Sequence, residues 1–282
     1  MYGSVNIYQT AKEEISKTIK EYYENLIAPM DDMWEEAIIG ASNYYKIVFN
    51  NSDAGYFCLD NDNILLQYYI KDKFIDETKE LLRYIIQEYK IKEGFVSTID
   101  VRSLPVFLDF NNEIHTHTLL YKDSYHVDKV SPIEGMEIRI ATSTDMQNVI
   151  EYYENRVDIQ GSWLRPYCIN LIKKQQLFLF EVSNEIIGTG ERRSGESQTG
   201  YAHVGVTVAK EYRKKGLASY ILSYLKKDCY KYGLVPICST TIDNLGSQKA
   251  IQNAGFYAYH RIVKVKFQGL IEGFIYPKSF AT

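Results

Sequence analysis

The residues best suited to chemistry form a short polar bend, residues 209–216, between a β-branched strand and a long amphipathic helix. Three consecutive cations at 213–215 come directly before Gly216. Because Gly216 and Ala218 carry little or no side chain, a ligand can approach the backbone closely there. The start of the following helix offers unpaired N–H groups and a partial positive charge. These features together predict a cradle for an anion, of a kind suited to a pyrophosphate.

This order of a strand, Arg-x-x-Gly-x-Ala and a helix resembles the acetyl-CoA loop of the GNAT superfamily of N-acetyltransferases. Residues 243–256 are similar to the family's block Asn-x-x-Ser/Ala-x-x-x-(aromatic)-x-x-x-Gly-Phe, at the expected distance. Upstream, a predicted strand, helix and hairpin from Met136 onward follow the order in which a GNAT unit begins. The resemblance therefore covers residues 136–267, nearly a whole unit. A Walker A loop does not fit, because there the lysine follows the glycine.

The resemblance implies an enzyme that transfers the acetyl group of acetyl-CoA directly to a primary amine, on a small molecule or a peptide. In the family, the strand before the loop diverges from its parallel neighbour, and the pantetheine arm lies between the two strands. The coenzyme-binding positions that follow from the resemblance are Val206, Thr207, Val208, Arg213, Lys214, Lys215, Gly216, Leu217, Ala218, Ser219, Asn244 and Ser247. Asn244 is also a favoured N-cap residue, so a structural role there is the alternative.

Acetyl transfer to an amine requires a neutral nitrogen nucleophile. For an amine with a pKa of about 10.4, deprotonation at pH 7 costs roughly 4.6 kcal/mol, so a positioned base is useful. His203, on the strand before the bend, is the first candidate, and Glu191, at the end of the preceding hairpin, is the second. A histidine that is merely packed in the strand is the alternative for His203.

The proton for the leaving thiolate has no obvious donor. Many members of the family use a tyrosine four residues before the glycine of Gly-Phe, and that position is Ile251 here. Tyr257, Tyr259 or Ser247 could donate instead. A thiol with a pKa near about 8.5 is also a tolerable leaving group without an acid. This departure motivates a competing function, a non-catalytic acyl-CoA sensor or scaffold; longer acyl chains or a hydroxyl acceptor are a third possibility.

The N-terminal half repeats part of the same order of elements. Val96 to Asp100 resembles Ser239 to Asp243, and each is followed by a nearby serine and a phenylalanine. The segment 71–76 contains no glycine and has mixed charge, so it offers no phosphate cradle. We predict a mixed α/β fold with two domains: a degenerate GNAT-like domain at 1–130 and a catalytic GNAT domain at 131–282.

Acceptor specificity in the family depends on the segment after the first helix. Here that segment is 157–168, where Trp163, Arg165 and Tyr167 could contact the acceptor. The polar, Gly/Ser-containing stretch 190–200 is predicted to be a turn.

Composition restricts the remaining possibilities. The chain has 282 residues, of which 45% are hydrophobic and 24% charged, as in ordinary soluble proteins. A net charge of −4 gives no basic excess for nucleic acid. No apolar run approaches the length of about 18 residues that spans a bilayer. Four scattered cysteines without metal-site spacing are typical of reduced, buried thiols. We therefore expect a cytoplasmic protein without nucleic-acid, membrane or metal partners; no motif indicates its oligomeric state.

Overall fold

The computed structural model describes residues 3–126, 132–194 and 198–268. The chain divides into two compact units. Unit 1 contains Met1–His117 together with the chain from Ile262 onward, and unit 2 contains Thr118–Arg261. The predicted domain boundary between residues 130 and 131 lies outside the described residues and stays a prediction. None of the described helices is long and apolar enough to cross a membrane.

Both units contain a mixed sheet with helices. The strands are β1 Val5–Thr10, β2 Asn43–Phe49, β3 Ser52–Leu59, β4 Leu65–Ile70, β5 Glu93–Ser97, β6 Asn111–Asp123, β7 Met136–Ile140, β8 Leu177–Val182, β9 Glu185–Ser194, β10 Tyr201–Val208, β11 Val235–Thr241 and β12 Phe256–Phe267. The α-helices are α1 Ser16–Glu24, α2 Thr78–Glu88, α3 Ser103–Asp109, α4 Met146–Glu151, α5 Leu164–Lys173, α6 Leu217–Lys231 and α7 Leu245–Asn253. The sheet order is β1-β2-β3-β4-β5 and residues 262–267 of β12 in unit 1, and residues 118–123 of β6 followed by β11-β10-β9-β8-β7 in unit 2. The predicted mixed α/β class is confirmed.

In unit 1, helix α2 buries one face against the sheet. Leu81, Leu82, Ile85 and Ile86 are buried in one apolar cluster with residues of strands β2 to β5. The helical spacing of these four residues in the sequence predicts this helix. Strands β1 and β2 were not predicted. Strands β2 and β3 form a hairpin joined at Asn50-Asn51, and both residues have positive φ. Two such residues are the signature of a type I′ turn, so the sequence did carry a signal for this hairpin.

In unit 2, helix α6 packs on the sheet as predicted. Ile221, Leu222, Leu225 and Cys229 are buried in one cluster with alternate residues of β10.

All four cysteines of the chain are buried free thiols, which confirms the prediction. Burial raises the pKa of the Cys229 thiol to about 12, so it is protonated at neutral pH.

Two segments of unit 2, the candidate acceptor segment 157–168 and the predicted turn 190–200, contain regular structure. The segment 157–168 includes the start of helix α5, whose Leu164, Cys168 and Leu171 are buried at helical spacing. The predicted turn at 190–200 is also too long, because β9 continues to Ser194 and pairs with β10 up to that residue. Residues 195–197 of that predicted turn lie outside the described part of the chain.

The first helix of unit 2 begins at a charged capping arrangement. The Asp145 carboxylate accepts the Thr142 N–H at 2.7 Å and two N–H groups of Arg139 at 2.8 Å. Arg139 also binds Glu181 on β8. The Arg139 guanidinium holds the pKa of the Asp145 carboxyl well below its usual range. The first helical turn of unit 2 therefore begins at a capping box formed by Thr142 and Asp145.

We expect Asp145→Asn to lower the free energy of unfolding by about 1–2 kcal/mol at pH 7, as for a lost cap. A depressed folded-state pKa stabilises the fold above the unfolded value of about 4, and this stability is lost as pH falls through the folded value. The difference between wild type and variant should therefore shrink below about pH 4 in urea denaturation experiments. A difference that stays constant from pH 7 to pH 3 would contradict this explanation.

A buried ion pair fixes α6 to two strand ends. Lys226 Nζ lies 2.7 Å from Asp123 Oδ1, and both side chains are fully buried. The same ammonium donates to the carbonyl oxygens of His126 at 2.7 Å, Ala254 at 2.9 Å and Gly255 at 3.1 Å. Every donor of this lysine is therefore satisfied, as a buried charge requires.

Candidate active site

Strands β10 and β11 of unit 2 run parallel but separate soon after they begin. They pair only from Tyr201 with Val235 to His203 with Ile237. Beyond that point β10 stays paired with β9 on its other side, and β11 stays paired with β6. A gap therefore opens between the two parallel strands after His203.

The backbone of β10 presents hydrogen-bonding groups to this gap. Val235 N–H donates to Gly200 O at 2.9 Å, and Ala209 N–H donates to Ile187 O at 3.0 Å. Even-numbered residues therefore direct their backbone groups toward β11, and odd-numbered residues toward β9. The groups directed into the gap are those of Val204, Val206 and Val208. An extended chain that carries amides could pair with them as an added strand does.

The polar bend leads from this gap to the start of helix α6. Gly216 has φ +82°, a left-handed conformation that favours glycine, and a Cβ there would meet no atom within 4 Å. The first helical bond runs from Tyr220 N–H to Gly216 O at 3.0 Å. Within the described residues, no side chain caps the helix. The N–H groups of residues 217–219 therefore have no partner within the helix and lie at the positive end of a 15-residue helix.

The three cations of the bend differ in their contacts: one binds the backbone, and two are exposed. Arg213 donates to Val208 O at 3.1 Å and to Val157 O at 3.2 Å, so its guanidinium fastens the bend to the strand end. The Lys215 ammonium lies 5.2 Å from the centre of the Tyr212 ring. Lys214 and Lys215 are exposed. The bend therefore keeps two lysines available to a ligand.

The contacts of helix α7 and the strand after it do not test the coenzyme-binding and catalytic roles predicted for their residues. The Asn244 side chain accepts the Ser247 N–H at 3.0 Å, so Asn244 caps this helix. Ile251 is buried in the apolar cluster under α6. Tyr257 is 42% exposed and packs edge-on against Tyr259. A coenzyme contact of Asn244 and Ser247 and a catalytic role of Ser247 or Tyr257 stay predictions.

The face of β10 that points away from α6 carries polar side chains. His203, Gly205 and Thr207 are odd-numbered, and each lies opposite a polar residue of β9: Arg193, Glu191 and Thr189, respectively. A Cβ on Gly205 would lie 3.1 Å from both Arg193 Nη1 and Glu191 Oε2. The glycine therefore leaves room for the Arg193–Glu191 ion pair. His203 is buried, with 2% of its surface exposed.

Glu191 lies at the centre of a buried hydrogen-bond network. Its carboxylate pairs with Arg193 and accepts hydrogen bonds from Tyr167 at 2.6 Å and Tyr153 at 3.3 Å. Sequence reasoning named Glu191 and Tyr167 but missed Arg193 and Tyr153. The adjacent Tyr152-Tyr153 pair was visible in the sequence, but nothing local showed what the two rings would meet.

Four hydroxyl groups extend this network along the strands. Thr189 Oγ1 lies 3.1 Å from the Tyr153 hydroxyl and 2.7 Å from Thr207 Oγ1, which lies 3.0 Å from the Tyr152 hydroxyl. A π-helical turn, Tyr152–Val157, follows α4, and both tyrosines are buried. Burial is the main cause that raises the pKa of both tyrosines. All four groups are therefore neutral hydroxyls at physiological pH.

Unit 1 has a similar divergence of strands, but its own side chains fill it. Strands β4 and β5 pair in parallel only at Leu65 with Gly94. Tyr68 O accepts the Ser103 hydroxyl at 2.7 Å, and Ile70 O accepts Arg102 Nη2 at 3.1 Å. The 3-10 helix Asp72–Glu77 follows β4 directly. In unit 2 Arg213 likewise occupies the carbonyl oxygen of Val208, but no described residue donates to that of Val206.

Two family models match the chain and together span most of it. The model described as "Acetyltransferase (GNAT) domain" matches residues 11–124, and that described as "Acetyltransferase (GNAT) family" matches residues 140–256. The chain belongs to the GNAT superfamily. Two GNAT domains therefore lie in tandem, and the predicted resemblance is confirmed.

Solved structures agree with this GNAT assignment. A GNAT-family acetyltransferase from Colwellia psychrerythraea has 28% sequence identity and a TM-score of 0.88, with 94% of this chain and 100% of that chain covered. A GCN5-related N-acetyltransferase from Sphaerobacter thermophilus has 15% identity and a TM-score of 0.64, covering 92% and 94%. A tandem GNAT protein from the clavulanic acid biosynthesis pathway has 12% identity and a TM-score of 0.58, covering 93% and 97%. The last two show the fold alone. A search of curated proteins found no match.

Proposed function

We propose that unit 2 binds acetyl-CoA and transfers its acetyl group to a primary amine of a small molecule or a peptide. The observation that carries this proposal is the gap between β10 and β11, which leads directly to the open start of α6 at Gly216. The pantetheine arm would pair with the backbone of Val206 and with the N–H of Val208, whose carbonyl oxygen accepts from Arg213. The pyrophosphate would bind the N–H groups of residues 217–219, with Lys214 and Lys215 beside it.

The reaction follows from which groups face the gap. The amine nitrogen attacks the thioester carbonyl, the C–N bond forms, the C–S bond breaks and the coenzyme leaves as a thiol or thiolate. The Val206 N–H faces the gap and can donate to the oxygen that becomes negative in the transition state. His203 on β10 and Glu191 on β9 are the two candidate bases, and both lie on the face of these strands that points away from α6. Tyr257 and Ser247 remain the candidate proton donors for the leaving thiolate.

A cytoplasmic location is part of the proposal, because four buried free thiols suit a reducing compartment.

Release of thiol from acetyl-CoA in the presence of a panel of primary amines tests the reaction. We expect release that depends on the amine, with acetylated product identified by mass spectrometry. A protein that binds CoA but releases no thiol with any amine would instead be the acyl-CoA sensor that the buried Ile251 motivates.

Coenzyme stoichiometry tests the difference between the two units. We expect isothermal titration with CoA to give one site per chain, because Ser103 and Arg102 already occupy the carbonyl oxygens of β4 in unit 1. Two sites per chain, or one site that survives disruption of the bend in unit 2, would contradict this assignment.

A further inference from the structure

The hydrogen-bond network around Glu191 has a fixed direction. A carboxylate only accepts hydrogen bonds, so the Tyr153 hydroxyl must donate its single proton to Glu191. The Tyr153 oxygen can then only accept from Thr189, and Thr189 in turn can only accept from Thr207. The Glu191 carboxylate therefore orients every hydroxyl up to the strand beside the gap.

Because of this direction, Thr207, the last hydroxyl of the network, has one acceptor position that no described residue fills. Thr207 donates its only proton to Thr189, so Tyr152 must donate to Thr207. A threonine hydroxyl oxygen accepts two hydrogen bonds, and Tyr152 supplies one of them. Thr207 is half-buried, and its neighbour Val206 directs its backbone into the gap. The open lone pair of Thr207 thus suits a donor such as an ammonium group at the thioester.

We propose that Thr207 binds the acceptor ammonium and that Thr189 and Tyr153 carry its proton to Glu191, the base of the reaction. This inference rests on the proposed acetyl transfer. The ammonium gives a proton to Thr207, which passes its own to Thr189, Thr189 to Tyr153, and Tyr153 to Glu191. Each hydroxyl ends neutral, and Glu191 becomes a neutral acid that returns the proton to solvent before the next turnover.

The departing thiolate then receives its proton from the substrate nitrogen, so no tyrosine is needed at position 251. The freed amine forms the C–N bond and becomes cationic, the C–S bond breaks, and the second nitrogen proton passes to the departing thiolate. The products are an amide and CoA thiol, with one proton on Glu191. Thr207 would touch the substrate, whereas Thr189 and Tyr153 are positioning residues that act through it.

The surroundings of Glu191 support this role. The charged and titratable groups that face it are Arg193 from its own strand, Tyr167 from α5 and Tyr153 from the π-helical turn, with His203 opposite Arg193 on β10. Burial and the charge of Glu191 raise the pKa of Tyr153, so this residue remains a donor. Because Glu191 is 7% exposed, a chain of hydroxyls gives it access to a proton that it does not contact directly.

The test compares Thr189→Val with Thr189→Ser. With the most active alkylamine of the panel, we expect Thr189→Val to lower kcat roughly a hundredfold, the scale of general base catalysis, with the KM for acetyl-CoA unchanged. Thr189→Ser restores the hydroxyl and should restore kcat to within a few-fold. With an analogue of that amine that carries two or three β-fluorine atoms, whose ammonium is largely deprotonated at pH 8, the defect of Thr189→Val should shrink at least tenfold. Tyr153→Phe should behave like Thr189→Val and serves in its place if that variant fails to fold.

Tyr121→Phe is the matched control, because Tyr121 is a buried tyrosine of unit 2 whose hydroxyl has no hydrogen-bond partner among the described residues. It should keep wild-type kcat. Equal defects with both amines, or Thr189→Val and Tyr153→Phe as active as wild type, would overturn the relay. Loss of activity in His203→Gln with normal Thr189 variants would likewise overturn it. A wild-type protein that acetylates no amine would instead refute the proposed function.

Discussion

Replacing Gly216 with glutamate should lower the affinity for CoA at least a hundredfold. The residue has φ +82°, so any side chain there strains the backbone by about 1–3 kcal/mol. The space next to Gly216 is open, and glutamate would place a carboxylate where the pyrophosphate is proposed to bind. Repulsion between two anions then adds to the strain. Isothermal titration with CoA measures the effect.

Gly233→Glu provides a matched control at the other end of the same helix. Gly233 also has a positive φ, +67°, and a Cβ there would meet no atom within 4 Å. The two variants therefore share the strain and the added charge but differ in their distance from the bend. We expect Gly233→Glu to bind CoA like wild type. Equal affinity of Gly216→Glu and Gly233→Glu would refute a coenzyme site at the bend.

Lys226→Ala should be the most destabilising single substitution considered for unit 2. Removal of the ammonium leaves the Asp123 carboxylate buried without its partner and also frees three carbonyl oxygens. Breaking a buried pair in this way costs about 3–5 kcal/mol. Urea denaturation followed by circular dichroism measures the loss.

Two comparisons test the cause of that loss. Lys227→Ala removes an exposed lysine from the next position of the same helix and should change stability by less than about 0.5 kcal/mol. The double variant Lys226→Met with Asp123→Leu removes both charges, so it should be more stable than Lys226→Ala. A double variant as unstable as Lys226→Ala would contradict the unpaired Asp123 charge as the cause and would assign the loss to the carbonyl oxygens that both variants leave without a donor.

The geometry that is proposed to bind the coenzyme could be predicted, because its signals are local in sequence. A glycine before an amphipathic helix indicates the left-handed residue at Gly216, and the spacing of Ile221, Leu222 and Leu225 indicates the buried face of α6. The family resemblance added the divergence of β10 from β11. The side-chain bonds of Arg213 were not predictable, because they depend on where Val157 lies in the folded unit.

The hydroxyl network that is proposed to carry the proton could not be predicted, because it depends on strand register and on one irregular turn. Thr189 and Thr207 meet only because β9 and β10 pair in the observed register. A shift by one residue would place them on opposite faces of the sheet. Tyr152 and Tyr153 both reach this face from a π-helical turn, which no sequence pattern indicated. The same limit applies to unit 1, where Ser103 fills the gap only after folding brings it to Tyr68.

A crystal structure of the protein with bound CoA tests the central claim most directly. We expect the pyrophosphate oxygens within hydrogen-bond distance of the N–H groups of residues 217–219, and the pantetheine arm paired with Val206. A coenzyme bound elsewhere, with the start of α6 left empty, would contradict the proposed site and with it the assignment of acetyl transfer to unit 2.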